Sequence, residues 1–325
     1  MTMIPPTFSV IIPAYKALVT LEKAVDSVCR QTYKGWELLI INDASPDGTG
    51  ALADQLATRD ARIRVLHLPE NRGKPNAMNV GTDAAQGTWI ALLDADDWYA
   101  PERLEKLLSV ANDDVQMLAD NQFFFDGKAN QITGTAFPAT LPIATLGIKE
   151  FLAAADAMAS FDYGMLKPVF RADFLRQHAI RYYEPAKVGE DFLILLTFFV
   201  VGGRARLLPE PLYYYLQPFG TLSRQWAQDE RKPYDFVLLE QINAHGLQTF
   251  HDKLKPAQRT LLTCRGHDIA ALARFDRLRA ALNQRNILSA LSLILTAPMP
   301  FWRLVENRIL QRLNPNWPPR PRVPQ

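Results

Sequence analysis

Thr88-Trp89-Ile90-Ala91-Leu92-Leu93-Asp94-Ala95-Asp96-Asp97 is the stretch that decides the fold class. Its apolar run, Trp89 to Leu93, leads without a break into three carboxylates and predicts a strand that is covered on both faces of a parallel α/β sheet. Ligands bind at the carboxyl ends of the strands in open α/β sheets, so the acidic cluster stands where a site is expected. A divalent cation that holds a phosphorylated ligand would offset the repulsion among these carboxylates. The alternative is a cap for the helix that begins near Pro101, although a cap needs only one aspartate.

Composition limits the classes of function. The 325 residues exceed one typical domain, and a hydrophobic fraction of 48% can fill a sizeable core. Residues 1–225 carry 21 basic and 26 acidic side chains, whereas residues 226–325 carry 15 and 8. The acidic front half argues against nucleic acid as the main ligand, and the basic rear suits an anionic surface.

Neither the cysteines nor the termini indicate export. Cys29 and Cys264 are far apart and form no metal-type pair, and the helical spacing around Cys29 predicts a small core residue in a reducing compartment. No basic segment precedes an apolar stretch at the N-terminus, and no run reaches the roughly 18 apolar residues of a membrane span. We therefore expect a cytoplasmic protein.

Apolar strands alternate with amphipathic helices through the first hundred residues, which predicts a parallel sheet with right-handed crossovers. Beyond them the pattern is less regular. Strands are predicted at 8–13, 37–41, 63–68, 89–93, 115–119, 122–125 and 209–216. Helices are predicted at 21–29, through Ala53, Leu56 and Ala57 after a turn at 44–49, and at 74–86, 101–111, 148–157, 172–178 and 192–201.

Five short motifs follow one another between residues 8 and 225. They are Ser9-Val10-Ile11-Ile12-Pro13-Ala14-Tyr15, Ile41-Asn42-Asp43-Ala44-Ser45-Pro46-Asp47-Gly48-Thr49, Asn71-Arg72-Gly73 through Asn79, Asp94-Ala95-Asp96-Asp97, and Gly189-Glu190-Asp191. In this order they resemble the motifs of family 2 glycosyltransferases, nucleotide-sugar-dependent enzymes of the GT-A fold.

The resemblance implies an α/β chain with a Rossmann-like, mostly parallel sheet flanked by helices. It implies a catalytic domain in residues 1–225, with a nucleotide-binding half at about 1–110 and an acceptor half at about 111–225. A helical C-terminal region with a basic amphipathic tail would follow in residues 226–325.

The resemblance also implies a donor site at the nucleotide end of the sheet. Pro13, Ala14 and Tyr15 would pack on the uridine of a nucleotide-sugar, and Asp43 would accept the N–H of the base. A plain strand-end turn and an Asx turn are the alternatives for these two loops.

Further donor contacts come from the third and fourth motifs. Arg72, Gly73 and Lys74 would lie close to the diphosphate, with Asn79 in the same motif, unless the loop is merely a basic turn. Asp94 and Ala95 would lie at the ribose, and Asp96 would bind Mn²⁺ or Mg²⁺ and so stabilise the leaving diphosphate. Many relatives place an Arg and a His after the strand at 210–215; this chain lacks them, and Arg224 is the expected substitute.

The last motif corresponds to the catalytic base of the family. Asp191 would remove the proton of an acceptor hydroxyl, and Glu190 would position the acceptor or the base. Two acidic residues at a helix start also favour the helix dipole, which is the structural alternative. The resemblance implies inversion and the transfer of one sugar per encounter, because the motif of the processive synthases is incomplete at Ser223-Arg224-Gln225-Trp226.

The C-terminal hundred residues are outside the resemblance. Arg274, Arg277, Arg279 and Arg285 precede an apolar segment at 287–295. This pattern favours an interfacial anchor through residues 287–325 on an anionic membrane, on the inner face of the plasma membrane, where a glycan or lipid-linked acceptor would be reached. A helical lid packed on the catalytic domain is the alternative.

Two other functions compete with glycosyl transfer. An aspartyl phosphatase uses an Asp-x-Asp pair, but usually after its first strand rather than its fourth. A carbohydrate- or nucleotide-binding relative without activity would retain the fold. The presence of Asp43, Asp96 and Asp191 argues against the second alternative.

Overall fold

The computed structural model describes residues 6–155, 157, 162–217, 235–299, 301–302 and 305–306. The chain divides into two compact units. The first comprises Met1–Phe151 and Gly164–Arg231, and the second comprises Leu152–Tyr163 and Lys232–Gln325. The assignment of residues 152–163 to the second unit has no counterpart in the sequence pattern.

Four parallel strands form the first half of the first unit in the order β3-β2-β1-β4. Nearly every residue of β1, β2 and β4 is buried, which is why their sequences are continuous apolar runs. The strands are β1 (Phe8–Ala14), β2 (Trp36–Asn42), β3 (Ile63–His67) and β4 (Trp89–Leu92).

Three helices connect these strands and a fourth follows the last strand. They are α1 (Leu21–Cys29), α2 (Thr49–Ala57), α3 (Lys74–Ala84) and α4 (Arg103–Ser109). The α1 helix buries Leu21, Ala24, Val25 and Val28 at helical spacing, as the sequence predicts.

The second half of the first unit makes the sheet mixed. The strand β9 (Val169–Arg171) lies between β4 and β6 and is antiparallel to both, whereas β6 and β10 are parallel. The other elements are β5 (Trp98–Tyr99), β6 (Met117–Asp126), β7 (Gln131–Thr135), β8 (Ala144–Leu146), β10 (Ala205–Gln217), α5 (Ile148–Ala154), α6 (Ala172–Gln177) and α7 (Glu190–Val200).

Several predicted boundaries differ from the structure. The two strands predicted at 115–119 and 122–125 are one strand, β6, because the polar residues between them continue the ladder to β10. Strand β7 was not predicted, since its residues Gln131 to Thr133 are exposed and carry no apolar pattern. Strand β1 continues past Pro13 to Ala14. The carbonyl of Ile11 bonds toward β4, so by alternation the missing N–H of Pro13 faces the same side, beyond the end of that strand.

A buried ion pair stabilises the centre of the first unit. The Arg103 guanidinium and the Asp120 carboxylate are 2.7 Å apart and fully buried. Arg103 also donates to the carbonyl oxygen of Lys167 at 3.1 Å. This bond fixes the backbone just before β9.

The described part of the second unit is helical. It contains α8 (Phe236–Thr249), α9 (Pro256–Asn283) and α10 (Ile287–Leu295). Arg265 of α9 pairs with Asp162, which ties residues 152–163 to this unit. Among the described residues, no helix combines the length and the apolar character that crossing a bilayer requires.

Candidate active site

The acidic loop after β4, residues 94–97, is held by β10. The buried Asp97 carboxylate accepts hydrogen bonds from the Tyr213 hydroxyl at 2.8 Å and from the Leu216 N–H at 2.9 Å. The same Tyr213 oxygen accepts the N–H of Asp94 at 3.2 Å. Burial and the charge of Asp97 hold the pKa of Tyr213 well above its usual value, so the hydroxyl keeps the proton that it donates.

Asp97 therefore anchors the loop. Its pKa is held well above the usual range by burial and by the charges of Asp96 and Asp94. Both of its oxygens serve β10, so this side chain fixes the position of its neighbours in the loop.

A closed ring of alternating charges lies beside this loop. Lys74 Nζ is 3.0 Å from Asp94 Oδ1 and 3.1 Å from Asp191 Oδ1. Lys167 Nζ is 2.6 Å from Asp94 Oδ2 and 3.4 Å from Asp191 Oδ2. Asp94 thus offers one oxygen to each lysine, whereas Lys74 also reaches the Asp191 Oδ2 atom at 3.3 Å, which it shares with Lys167. The ring, which we call the charge ring, brings the fourth-strand loop and the start of α7 together.

The pKa values of Lys74 and Asp94 depend on the charges that the ring places beside them. Burial lowers the pKa of Lys74, but the charges of Asp191, Asp94 and Glu190 outweigh it and raise the pKa well above its usual value. Burial likewise opposes the charged form of Asp94, yet Lys167 and Lys74 hold its pKa below the usual range. The charges of Lys74 and Asp94 are therefore retained because each has partners of opposite charge.

Glu190 stands at the edge of the ring. Its Oε1 is 3.3 Å from Lys74 Nζ, and burial followed by the charge of Asp191 raises its pKa. The residues Glu190 and Asp191 are the first two of α7, where the helix dipole favours negative charge.

Two glycines aim the helices that supply the ring. Gly73 precedes α3 with φ 88°, and Gly189 precedes α7 with φ 74°. A side chain at either position would be strained in this left-handed backbone. The turn at Gly73 directs Lys74, and the turn at Gly189 directs Glu190 and Asp191, toward the acidic loop.

Asp43 joins the loops that follow β1, β2 and β3. Its carboxylate accepts the N–H groups of Arg72 at 3.0 Å and Gly73 at 2.8 Å, and its own N–H bonds the Ala14 carbonyl. These contacts place Asp43 in the loops where a base would bind. The hydrogen bond to the base stays a prediction, and the structure adds a positioning role that sequence reasoning missed.

Other predicted donor residues also lie at this edge of the sheet. Pro13 and Tyr15 are half-buried beside Ala14, and Lys16 Nζ is 5.4 Å from the centre of the Tyr15 ring. Ala95 is buried within the acidic loop. Their contacts with a nucleotide-sugar stay predictions.

Arg72 and Asn79 have protein partners in this structure. The Arg72 guanidinium is 2.6 Å from Glu184 Oε2. The Asn79 side chain exchanges two hydrogen bonds of 2.9 Å with the backbone of Tyr182. Asn79 thus holds the segment before α7 against α3, and a nucleotide-binding role for it is only a prediction.

Lys167 was missed by the sequence prediction, and Arg224 lies outside the described residues. One signal was available for Lys167: a lysine between Leu166 and Pro168-Val169-Phe170 is surrounded by core-forming residues and needs an anionic partner. The signal gave no indication of which carboxylates those would be.

The assignment of Asp96 as a ligand of a divalent cation stays a prediction. Asp96 is half-buried in the acidic loop between Asp94, which pairs with two lysines, and Asp97, which bonds β10. Asp94, Asp96, Glu190 and Asp191 leave a formal charge of −2 against Lys74 and Lys167, and hard cations prefer such oxygen ligands. In the part of the chain that the structure describes, no three His, Cys, Asp or Glu side chains enclose a metal site. A cation here would need ligands from a bound phosphate.

Comparison with known proteins concerns the family and the fold of this chain. Residues 9–166 match the model of the family described as glycosyl transferase family 2. This part of the chain belongs to glycosyl transferase family 2. The resemblance inferred from the five motifs is confirmed.

Two bacterial proteins illustrate the similarity. Succinoglycan biosynthesis protein ExoO of Rhizobium meliloti (strain 1021) is 33% identical over 223 residues, which cover 67% of this chain and 63% of ExoO. The uncharacterized glycosyltransferase EpsJ of Bacillus subtilis (strain 168) is 29% identical over 221 residues, with the same two coverages of 67% and 63%. The chain therefore spans about 63% of the length of these relatives.

Solved structures share the fold. S. aureus TarS 1-349 in complex with UDP-GlcNAc has a TM-score of 0.60 at 15% identity. The match covers 94% of this chain and 92% of the TarS chain. The mannosyltransferase PcManGT from Pyrobaculum calidifontis, in complex with GDP-Man and Mn²⁺, has a TM-score of 0.57 at 17% identity, with coverages of 97% and 89%. At these identities the likeness concerns the fold alone, and it confirms the GT-A prediction.

Replacement of Asp43 tests its positioning role. We expect Asp43→Ala to lower the free energy of unfolding by about 1–3 kcal/mol, because two backbone N–H groups lose their acceptor. Asp47→Ala is the matched control, since Asp47 is exposed and, among the described residues, its side chain accepts the N–H of Thr49. Urea titration followed by tryptophan fluorescence measures both. Equal effects of the two substitutions would contradict the role.

Proposed function

We propose that this chain is an inverting glycosyltransferase that moves one sugar from a UDP-linked donor to an acceptor hydroxyl. The observation that carries the proposal is the charge ring. Asp94, at the nucleotide end of the parallel sheet, and Asp191, at the start of α7, share the same two lysines. This shared contact supports a donor site and a base that lie side by side.

The chemistry assigned to Asp191 is general-base catalysis. The acceptor oxygen attacks the anomeric carbon as the bond from that carbon to the diphosphate breaks. The electron pair of that bond leaves with the nucleoside diphosphate, and the hydroxyl proton passes to Asp191. Attack opposite the leaving group inverts the configuration.

Several groups would neutralise the departing diphosphate. Lys74 stands at the N-terminus of α3, where the helix dipole also favours an anion. Mn²⁺ or Mg²⁺ held by Asp96 would supply further positive charge at the diphosphate when bound. The Mn²⁺ in the mannosyltransferase of the same fold supports this cofactor.

The proposed donor and pathway rest on the relatives. TarS was solved with UDP-GlcNAc and with UDP, which supports a UDP-linked sugar. ExoO is named for succinoglycan biosynthesis, which supports a glycan or lipid-linked acceptor in polysaccharide assembly. An aspartyl phosphatase is less well supported, because both oxygens of Asp94 are already paired with lysines.

Asp191→Asn tests the base. We expect UDP release from UDP-GlcNAc or another accepted UDP-sugar to fall about 10²- to 10⁴-fold, since that is the usual contribution of a general base. UDP binding, measured by calorimetry with Mn²⁺, should not weaken. Asp173→Asn is the control, because Asp173 is exposed and pairs only with Arg171 among the ion pairs described. Transfer at the native rate by Asp191→Asn would show that the base is misassigned.

Asp96→Ala tests the cation. UDP should bind the native chain at least about tenfold more tightly with Mn²⁺ or Mg²⁺ than with a chelator, and the variant should lose this difference. Asp54→Ala, at an exposed carboxylate near His67, should retain it. A variant that still binds UDP in a metal-dependent way would refute the assignment of Asp96.

We also propose that α10 attaches the chain to an anionic membrane surface. Leu288 and Leu295 are each 82% exposed, and Ile287 and Leu291 are exposed beside them. On the other face Ala290 is buried in a small core with Phe301. The helix is thus apolar on its solvent side, which is the pattern of an interfacial helix.

The arginines near α10 divide into two groups. Arg277, Arg279 and Arg285 are exposed and suit anionic headgroups. Arg274 instead donates to the Leu293 carbonyl and the Thr296 hydroxyl, both at 2.8 Å, and so caps the end of α10. Arg274 thereby has a structural function in the second unit. Much of the predicted tail beyond residue 299 lies outside the described residues.

Replacing the two most exposed leucines tests the attachment. Leu288→Ser with Leu295→Ser should reduce binding to phosphatidylglycerol-containing liposomes at least about tenfold, because each buried leucine contributes about 1.5–3 kcal/mol. Ile132→Ser with Ile143→Ser, at exposed sites of the first unit, is the control. Co-sedimentation measures the bound fraction. Unchanged partitioning of the leucine variant would exclude this surface.

A further inference from the structure

The two lysines of the charge ring have different surroundings. Lys167 is 5% exposed and Lys74 is 16% exposed. The carbonyl of Lys167 is held by the buried Arg103, and its ammonium lies 5.9 Å and 5.6 Å from the rings of Tyr213 and Tyr215. Lys167 is therefore fixed from behind as well as by its two carboxylates.

Lys74 is shared among more groups and is less enclosed. It lies between 3.0 and 3.3 Å from oxygens of Asp94, Asp191 and Glu190. It is also the first residue of α3, directly after Gly73. A diphosphate that binds at this helix start offers Lys74 a doubly charged partner, and the side chain needs only to rotate to reach it.

We propose that the two lysines divide their work: Lys74 turns from Asp191 to the donor diphosphate, while Lys167 stays and holds Asp191 in line with the donor. Lys167 is thus a positioning residue for the base. The inference rests on the proposed glycosyl transfer and adds a residue that the family motifs do not contain.

The exchange has a consequence for the base. In the structure both Asp191 oxygens are paired with ammonium groups. When Lys74 turns to the diphosphate, Asp191 loses one cation, and one of its oxygens becomes available to take the acceptor proton. Asp94 and Asp191 would repel each other, and Lys167 offsets this repulsion, so the Asp191 carboxylate stays in place. The base is therefore released only when the donor is in place.

The two lysines should separate binding from turnover. Lys74→Met should raise the donor KM and the Kd for UDP about tenfold or more, since a charge-assisted contact to the diphosphate is lost. Lys167→Met should lower kcat about 100-fold and leave the donor KM within about threefold, because the base is misplaced while the donor contacts remain. UDP release from the accepted UDP-sugar gives kcat and KM, and calorimetry with Mn²⁺ gives Kd.

Two further variants separate positioning from simple stabilisation. Lys106→Met removes an exposed lysine that pairs with Glu210 and should change neither constant. In the Asp191→Asn background, Lys167→Met should cause no further loss of kcat, since both substitutions disable the same group. Melting temperature and UDP binding verify folding, and Lys167→Gln, which keeps a hydrogen-bond donor, replaces Lys167→Met if that chain does not fold.

Three outcomes would overturn the inference. They are a kcat for Lys167→Met within about threefold of native, an equal rise in donor KM for both lysine variants, and an additive loss in the Asp191→Asn background. A native chain that neither binds UDP nor releases it from any UDP-sugar would reject the proposed function itself. An active native chain with an unaffected Lys167→Met variant would reject only the role of Lys167.

Discussion

The pairing of Asp94 and Asp191 with the same two lysines is the interaction on which the site depends. Carboxylates from two distant parts of the chain would repel one another in a buried place, and buried ammonium groups would be equally unfavourable alone. Alternation around the ring removes both problems. It also joins the parallel part of the sheet to the start of α7, which carries the proposed base, so the fold and the proposed chemistry depend on the same contacts.

Each member of the ring is supported from the protein side. The Arg103–Asp120 pair fixes the backbone of Lys167, and Tyr213 fixes the loop that carries Asp94. Asp43 holds the turn at Gly73, from which Lys74 projects. These supporting contacts are made by residues outside the charge ring, so they do not occupy the place of a ligand. A site built on such rigid elements is preorganised, which is what positioning catalysis requires.

The first half of the fold follows from the sequence because β1, β2 and β4 are buried on both faces and α1 is amphipathic. The residues of the candidate site could be predicted from the sequence only in part. Asp94 and Asp191 are found from their motifs, but Lys167 is not, because β9 runs antiparallel beside β4 and its beginning therefore lies at the end of β4. Strand direction in a mixed sheet depends on tertiary packing, which local pattern does not record. The same holds for Arg274 and Asn79, whose partners are backbone groups from other elements.

The attachment of the acidic loop to β10 has a mechanical consequence. The strand ends at Gln217, one residue beyond the Leu216 N–H that holds Asp97, and the Tyr213 hydroxyl grips the loop three residues earlier. A shift of Tyr213 or Leu216 would therefore also shift residues 94–97, because both groups hold the Asp97 carboxylate.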